Sequence, residues 1–446
     1  MNNEETEKTD LKAKLLNNFR DFEKNLNGDA AGIIHEKRKD AIKYFETLGF
    51  PVKKLEEWKY TNLTPALKHT FKNPLEEYTS ALSENDIKDF LIKKENVNLL
   101  VFVNGQFERK LSKICSKNDN VFIGSFSDGM KTHRDIIESH FSKYVNYTNS
   151  GLTALNTAFA GEGCFVYAGK GEQISEPVHI LCISDAREEV YFSQLRNLIV
   201  AEDNSSVNIA EDYYTIGDKH SFTNTVTEIF CEKNSGVEHY KIQNEGPNAY
   251  YTGTTQVHQE KDSRYSDTTI SWGGAIIRND LNSVFEGTNT ECHFYGLYLL
   301  SGKQHVDNHT FADHKSPNCY SNELYKGILD DNSTGVFNGK IMVRPDAQKT
   351  NAYQSNNNIL ISDDSTIYSK PQLEIFADDV KCSHGATSGQ LNEDEMFYLQ
   401  SRGIGRENAR TLLLYAYASD VIDSIKFGEL KEMIEIKLEK KLKKGD

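Results

Sequence analysis

The 446-residue sequence has only seven cysteines, and no two of them are close enough to form a ligand pair. There is no C-x-x-C motif, the spacing that structural zinc sites and dithiol redox sites use. Scattered single thiols are typical of a reducing compartment. They are Cys115, Cys164, Cys182, Cys231, Cys292, Cys319 and Cys382. We therefore expect free thiols and a cytoplasmic protein, without disulfides or a structural zinc site.

Long apolar runs and an excess of basic residues are also missing. The longest apolar stretches, such as residues 412–418, are far too short to span a bilayer. The first ten residues are polar and acidic, unlike the apolar centre of a secretory signal. Lys and Arg total 51 against 66 Asp and Glu, a formal net charge of -15. We therefore expect no membrane segment and no nucleic-acid partner, because phosphate binding needs clustered basic side chains.

Familiar catalytic motifs are absent as well. The sequence contains no G-x-x-x-x-G-K-[ST], no G-x-S-x-G and no H-E-x-x-H. The adjacent acidic pairs Asp330-Asp331 and Asp378-Asp379 suit glycoside hydrolysis poorly, because neighbouring strand residues point to opposite faces. The chain therefore carries none of these catalytic signatures.

From about residue 162 to 381 the sequence alternates β-branched and aromatic residues with polar ones. A turn-forming Asx followed by Ser or Thr recurs at Asx intervals of 30, 28, 27, 43 and 32 residues. The turns begin at Asn204, Asn234, Asp262, Asn289, Asn332 and Asp364. Units that recur at this spacing without crossover helices favour a β-solenoid over a β-sandwich, whose turns recur more often. We expect the long interval, 289–332, to hold an insertion or an enlarged loop.

Helical patterns flank this β region. Ile34, Ala41 and Phe45 recur at helical spacing in residues 1–95, and Asn104-Gly105 signals a hairpin. After residue 389, Asn392 is a candidate helix cap. The tail repeats apolar residues every four positions from Leu430. This pattern fits either a helix that docks on a partner or one that packs on its own domain. We predict a mainly β protein with a helical region (1–160), a solenoid (161–388) and a C-terminal helical domain (389–446).

The sequence Lys381-Cys382-Ser383-His384-Gly385 places a thiol and an imidazole two positions apart in an extended segment. Both side chains then lie on one face of the strand. Such a pair fits a soft metal or an iron–sulfur cluster, or a nucleophile and its base, or simple packing. A second group contains His305, His309, His314, Asp307, Asp313 and Cys319. For this second group we favour hydrogen bonding along the strands, because the spacing matches no closed metal site.

Several long segments resemble the SufD family, subunits of the SUF scaffold for iron–sulfur cluster assembly. The resemblance is strong from residue 305 to 404 and weak over the first 160 residues. The matching segments are EEWKYTNL (56–63), QHVDNHTFADH (304–314), YKGILDD (325–331), VFNGKIMV (336–343), AQKTNAYQSNNNILIS (347–362), KPQLEIFADDVKCSHGAT (370–387) and FYLQSRGI (397–404).

The resemblance implies a right-handed parallel β-helix between helical domains. It also implies a complex with the paralogue SufB and the ABC-type ATPase SufC, or a homodimer when the chain is alone. The cluster would be transient and shared with SufB. No cofactor would bind tightly to this chain alone, and a reduced flavin in the assembled complex is left open. The implied cluster ligand is His384, with Cys382 a weaker candidate; the implied SufC-binding residues are Phe397, Tyr398, Arg402, Gly403, Ile404 and Arg410.

Two departures separate this chain from SufB-like relatives. Where SufB-like chains carry Gln-Cys-Asp-Ser, this sequence has Gln354-Ser355-Asn356-Asn357, and where they carry Glu-His-Glu-Ala-Thr it has residues 383–387, Ser-His-Gly-Ala-Thr. The resemblance therefore implies the SufD side of the pair. It also implies a non-catalytic scaffold subunit that by itself lacks the main scaffold cysteine. The alternative to a ligand role for His384 is a purely structural adaptor of the same complex, with no ligand to the nascent cluster.

Overall fold

Two long sheets of mostly parallel strands form the centre of the computed structural model, which describes residues 3–25, 32–72, 80–116 and 118–443. For residues 3–10 and 25 only the backbone is described, and parts of the helical region predicted for residues 1–95 lie outside the described residues. Successive strands alternate between the two sheets, so that each coil supplies one strand to each. The result is a parallel β-solenoid of about eight turns, as predicted.

The first sheet has nine strands and the second has ten. All strand pairs from β4 onward within each sheet are parallel, whereas β1 pairs with β2, and β3 with β4, in antiparallel fashion. The first sheet comprises β3 (Val121–Ser125), β4 (Cys164–Ala168), β6 (Tyr191–Ala201), β8 (Ser221–Cys231), β10 (Ala249–Gln259), β12 (Ile276–Phe285), β14 (His305–His314), β16 (Thr334–Val343) and β18 (Thr366–Ile375). The second comprises β1 (Asn98–Val103), β2 (Gln106–Phe107), β5 (Val178–Ala186), β7 (Ser206–Gly217), β9 (Gly236–Asn244), β11 (Arg264–Ser271), β13 (Glu291–Leu300), β15 (Tyr320–Leu329), β17 (Asn351–Leu360) and β19 (Lys381–Gly389).

The recurring Asx turns form the corner where the chain passes from the first sheet to the second. The corner residues adopt the left-handed conformation, with φ near +60°, which Asn and Asp tolerate better than most residues. The hydroxyl after the Asx donates back to the carbonyl three residues earlier, as from Ser235 to Glu232 at 2.7 Å. In chain order these residues are Asn204, Asn234, Asp262, Asn289, Asn318 and Lys349, at intervals of 30, 28, 27, 29 and 31.

The predicted insertion between residues 289 and 332 is therefore wrong. The segment holds β13, β14 and β15 joined by ordinary turns. The sequence pattern missed the corner at Asn318, where Cys319 replaces the hydroxyl residue. It then continued with Asn332 and Asp364, which lie at the opposite corner, between the second sheet and the first. Both corners use Asx and Ser, so turn chemistry alone did not separate them.

The space between the two sheets is filled by one apolar core that runs along the solenoid. Separate clusters cover the outer faces. The N-terminal helices pack on the first sheet through Phe192, Phe222 and Tyr250. The helices in this cluster are α1 (Asn3–Asn25), α2 (Ile33–Leu48), α3 (Thr64–Leu67) and α7 (Gly151–Ala158). Helices α5 (Phe126–Thr132) and α6 (Arg134–His140) pack on β4 and β6 of the same sheet, whereas α4 (Glu84–Ile87) packs on β1 and β5 of the second sheet. Strands β1 to β3 of this region join the solenoid sheets, with Asn104 and Gly105 forming the predicted hairpin turn.

The C-terminal helices pack on the outer face of the second sheet. The helices that make these contacts are α9 (Arg406–Ile422) and α10 (Gly428–Leu442). Helix α8 (Glu393–Ser401) packs on α9, and Asn392 caps α8 as predicted. The apolar stripe of α10 is fully buried: Leu430, Ile434 and Leu438 have no exposed surface and contact the solenoid cluster. Of the two uses left open for this stripe, the structure shows packing on its own domain. No helix in the described part of the chain is long and apolar enough to cross a membrane.

Candidate functional site

The solenoid ends in an uncovered coil formed by β18 and β19. Each is the last strand of its sheet, so one edge of each has no neighbouring strand among the described residues. Burial falls sharply here: all nine residues of β19 are exposed except Cys382, which is half-buried. The free edges leave backbone N–H and C=O groups available to another strand, which makes this end a ready surface for pairing.

His384 and Cys382 lie on the inward face of β19, as the period of two predicted. Cys382 pairs in register with Ala352 and packs against the apolar core, and His384 pairs in register with Gln354. Both partners on β17 are buried. His384 therefore lies on the inward face of β19, and its side chain is still exposed to solvent because β19 is the last strand of its sheet.

The geometry does not support a nucleophile and base pair. In the described residues the Cys382 thiol contacts the apolar core and the Ala352 backbone, and none of its contacts is with His384. Burial also raises the pKa of the Cys382 thiol, so it stays protonated at neutral pH. A protonated thiol is a poor nucleophile and a poor metal ligand. His384 is therefore the better ligand candidate of the two, as the resemblance implied; its role stays a prediction.

Large apolar side chains are exposed around the same end. Phe376, in the turn after β18, is 60% exposed, and Ile375, Tyr368 and Tyr353 are each about 40% exposed. Tyr368 stacks on Tyr60 of the N-terminal region at 4.2 Å between ring centroids. Exposed apolar side chains beside unpaired strand edges are typical of a protein interface. Sequence reasoning missed their exposure, because alternating aromatic residues in strands are ordinarily buried.

The predicted ATPase-binding residues divide into two kinds. Phe397 and Tyr398 project from α8, 72% and 57% exposed. Arg402 stacks on Tyr398 at 5.3 Å, and Gly403, with φ of 88°, ends the turn after α8. Arg410 instead pairs with Asp330 of the solenoid at 2.9 Å. The described contacts of Arg410 thus fasten α9 to its own chain, whereas the α8 aromatic residues face outward.

A groove of about 700 Å³ runs between α9 and α10 and begins at the predicted residue Ile404. Its floor includes Leu412 and Ile436, each about half exposed. Its rim is acidic. The lining residues are Ile404, Asn408, Thr411, Leu412, Tyr415, Glu432, Glu435, Ile436, Glu439 and Lys443. Apart from Ile404, none of these residues was singled out individually, because an apolar repeat along a helix does not show which of its side chains stay exposed.

The histidine group from His305 to His314 is split between both faces of the first sheet. His309 lies between Glu57 and Asp307, at 3.3 and 3.0 Å, on the outer face. His314 points inward, stacks on Phe285 and bonds to Ser321 at 2.9 Å. Within the described ranges, no group of three or more His, Cys, Asp and Glu residues could hold a metal ion. The structure shows the hydrogen bonding that we favoured for these residues.

A buried ionic cluster, which the sequence did not indicate, lies inside the middle coils. His239 lies 3.1 Å from Asp267 and 3.5 Å from Glu211, and Lys241 lies 4.0 Å from Glu211. Burial lowers the pKa of His239, but the two carboxylates outweigh it and raise that pKa to about 9. Burial raises the pKa of Glu211, but His239 and Lys241 bring it down to about 2. The cluster is charge-balanced, and it belongs to the interior of the fold.

These features define a parallel β-solenoid protein with one uncapped end and helices against opposite outer faces. Two family models match the chain in succession: the SufBD protein N-terminal region over residues 9–180, and the SufBD core domain of the SUF system for FeS cluster assembly over residues 182–417. The chain therefore belongs to the SufBD family of iron–sulfur cluster assembly proteins.

Curated relatives cover almost the whole chain. An iron–sulfur cluster assembly SufBD family protein of Synechocystis is 31% identical over 413 residues, 91% of this chain and 90% of the relative. The iron–sulfur cluster assembly protein SufD of Escherichia coli is 27% identical, over 89% of this chain and 90% of the relative. SufD of Bacillus subtilis is 28% identical, over 91% and 93%. This agreement extends the resemblance to the N-terminal region, where the sequence motifs were weak.

Proposed function

We propose that this chain is a non-catalytic scaffold subunit of the SufD type. It pairs with a SufB-like paralogue through its last coil and holds a SufC-like ABC ATPase on its C-terminal helices. His384 contributes one ligand to a cluster that is assembled between the paired subunits and then passed on. The observation that carries this proposal is the open coil itself, where unpaired strand edges, exposed apolar side chains and an exposed imidazole occur together.

The first part of the proposal, pairing with the paralogue, rests on the exposed surface of β18 and β19. A partner strand added to a free edge gains backbone hydrogen bonds, and the exposed apolar side chains around Phe376 supply buried area. A second copy of this chain offers the same edge, so a homodimer is expected when the paralogue is missing.

The second part, the ligand role, rests on the chemistry of His384. A neutral imidazole binds iron, and its side chain is exposed where a paired subunit would cover it. One histidine cannot hold a cluster, so the remaining ligands come from the partner. Cys382 is a weaker candidate, because its thiol is half-buried and protonated.

The third part, binding of the ATPase, rests on the C-terminal helices. Phe397 and Tyr398 are outward-facing aromatic anchors, and the groove from Ile404 between α9 and α10 adds an apolar floor with an acidic rim. Aromatic residues of this kind contribute strongly to protein interfaces. The chain itself carries no phosphate-binding loop, so nucleotide hydrolysis belongs to the partner.

The test is to express His384→Ala together with the cognate SufB-like and SufC-like proteins. We expect a complex of unchanged mass whose iron and acid-labile sulfide fall to background. Ser383→Ala, the exposed neighbour that points to the other face of β19, is the matched control and keeps normal content. Phe376→Asp should instead release the SufB-like subunit. A normal cluster yield from His384→Ala would leave the purely structural adaptor as the function.

A further inference from the structure

Gln354 lies directly beneath His384 in a column of inward-facing side chains. The register joins His384 of β19 to Gln354 of β17, and Gln354 to Glu323 of β15. Neighbouring strands are about 4.8 Å apart, so side chains in one column are within contact distance of the next. Gln354 and Glu323 are 3% and 1% exposed. The exposed histidine thus stands at the end of a buried polar column.

The amide of Gln354 is held from below. Its Nε2 donates to Glu323 Oε2 at 3.0 Å, and the hydroxyl of Thr310 donates to the same oxygen at 2.6 Å. Burial raises the pKa of Glu323 to about 7, against the effect of these two hydrogen bonds. One Nε2 hydrogen is thus used on Glu323, and the acceptor atom of the amide, Oε1, remains to be satisfied. That oxygen is buried and has no partner among the described residues.

The opposite strand leaves room for this arrangement. A Cβ atom at Gly339 of β16 would lie 2.4 Å from Gln354 Nε2 and 2.7 Å from its Cδ, both overlapping distances. The amide therefore occupies the space that a side chain at residue 339 would fill. A buried carbonyl oxygen without a donor is unfavourable, so this fixed position needs an explanation. The next polar side chain up the column is His384.

We infer that Gln354 is a positioning residue for His384, its Oε1 accepting a hydrogen bond from one imidazole N–H. That bond fixes the tautomer and leaves the other ring nitrogen as a free lone pair, directed outward. Histidines that bind metals nearly always donate their second N–H to such an acceptor. The inference extends the proposed function, because it supplies the internal support that a ligand at His384 needs.

The first test uses the free full-length chain and measures the tautomer ratio of His384. Histidine is labelled with ¹⁵N, and the His384 signals are assigned by their loss in His384→Ala. At a pH where the ring is neutral, we expect one tautomer to predominate. Gln354→Met keeps the side-chain volume but removes the acceptor. In this variant the tautomer ratio should shift about fivefold toward that of free histidine, because a change of that size corresponds to the loss of one buried hydrogen bond.

The matched control is Asn356→Leu, which removes a buried amide from the same strand but from the next inward column. It should leave the His384 tautomer ratio unchanged. An unchanged ratio in Gln354→Met, or the same change in Asn356→Leu, would overturn the inference and leave Gln354 as a core residue.

The second test exchanges the two side chains in the assembled complex. Gln354→Met should lower the iron and sulfide content about tenfold, the usual effect of removing a ligand's hydrogen-bond partner. The double variant Gln354→Glu with Glu323→Gln again places an acceptor under His384 and should restore most of that content. Failure of this rescue counts against the inference. Normal yield from His384→Ala would instead refute the proposed ligand role, whereas the tautomer measurement in the free chain tests the hydrogen bond by itself.

Discussion

Strands β8 and β19 have similar lengths and the same parallel pairing, but their surroundings are opposite. Ten of the eleven residues of β8 are buried, including Asn224 and Glu228, whereas eight of the nine residues of β19 are exposed. Both strands are rich in Ser, Thr and other polar residues. Their polar composition therefore does not decide burial. What differs is the neighbourhood: β8 lies between two strands and under helix α7, and β19 is the end of its sheet.

The buried strand shows how its polar groups are accommodated. Glu228 accepts backbone N–H bonds from Ser142, Tyr144 and Val145 at 2.8, 2.9 and 3.1 Å and also pairs with Arg196. Several donors of this kind are what allow a buried carboxylate to keep its charge. In the last coil, the column from Glu323 through Gln354 ends at His384. Any further partner of the imidazole therefore lies in the solvent or on another subunit. In the middle coils the buried charge of Glu228 finds its partners within the chain, whereas the end of the column at His384 is open.

The largest effect on stability should come from removing Glu228. Glu228→Ala leaves Arg196 buried without its partner, so we expect a loss of about 3–5 kcal/mol in the free energy of unfolding, measured by urea titration. The control is Glu374→Ala on β18, which breaks the partly exposed pair with Lys340 and should change stability by less than about 1 kcal/mol. Similar losses in the two variants would contradict the distinction between middle and last coils.

The next effect is a pH dependence from the buried ionic cluster. The pKa of His239 in the folded protein, about 9, lies above that of the unfolded chain, about 6.5. The folded state then binds more protons between these values, so this stabilisation is complete below about pH 6.5 and lost as the pH rises through about 9. We expect a decrease of up to about 3 kcal/mol across this window.

Denaturation at several pH values checks this prediction in His239→Gln. That variant should lack the alkaline decrease, and His384→Gln, which alters an exposed histidine of the last coil, should keep it. A wild-type slope in His239→Gln would show that other groups cause the pH dependence.

The smallest effect concerns the corners. Asn234→Ala places a less tolerant residue in the left-handed conformation and removes a 2.8 Å hydrogen bond to Asn204. It should lower the unfolding free energy by about 1–2 kcal/mol. Asp364, at the opposite corner beside β18, is not among the residues with positive φ. Asp364→Ala should therefore stay within about 0.5 kcal/mol of wild type. Thermal unfolding of the two variants side by side would show whether these two positions differ in this way.

Local chemistry made much of the fold predictable. The Asx and hydroxyl pairs mark corners because the left-handed residue and the back-bonded hydroxyl need neighbours only three residues away. The alternation of Cys382 and His384 likewise predicted a shared face. The corner at Asn318 and Cys319 was missed because a cysteine replaces the hydroxyl there. The groove at Leu412 and the exposed apolar side chains around Phe376 were missed because exposure depends on which other elements are present.

Turn chemistry and side-chain alternation act over a few residues, so they were enough to predict a solenoid with a histidine on its last strand. The surroundings of that histidine depend on residues far apart in the chain and became known from the fold. Gln354, Glu323 and Gly339 reach the column beneath His384 from separate coils, through strand register. The two sets of helices cover opposite faces and stop short of β19, because packing of distant apolar surfaces, and no local signal, sets where they lie.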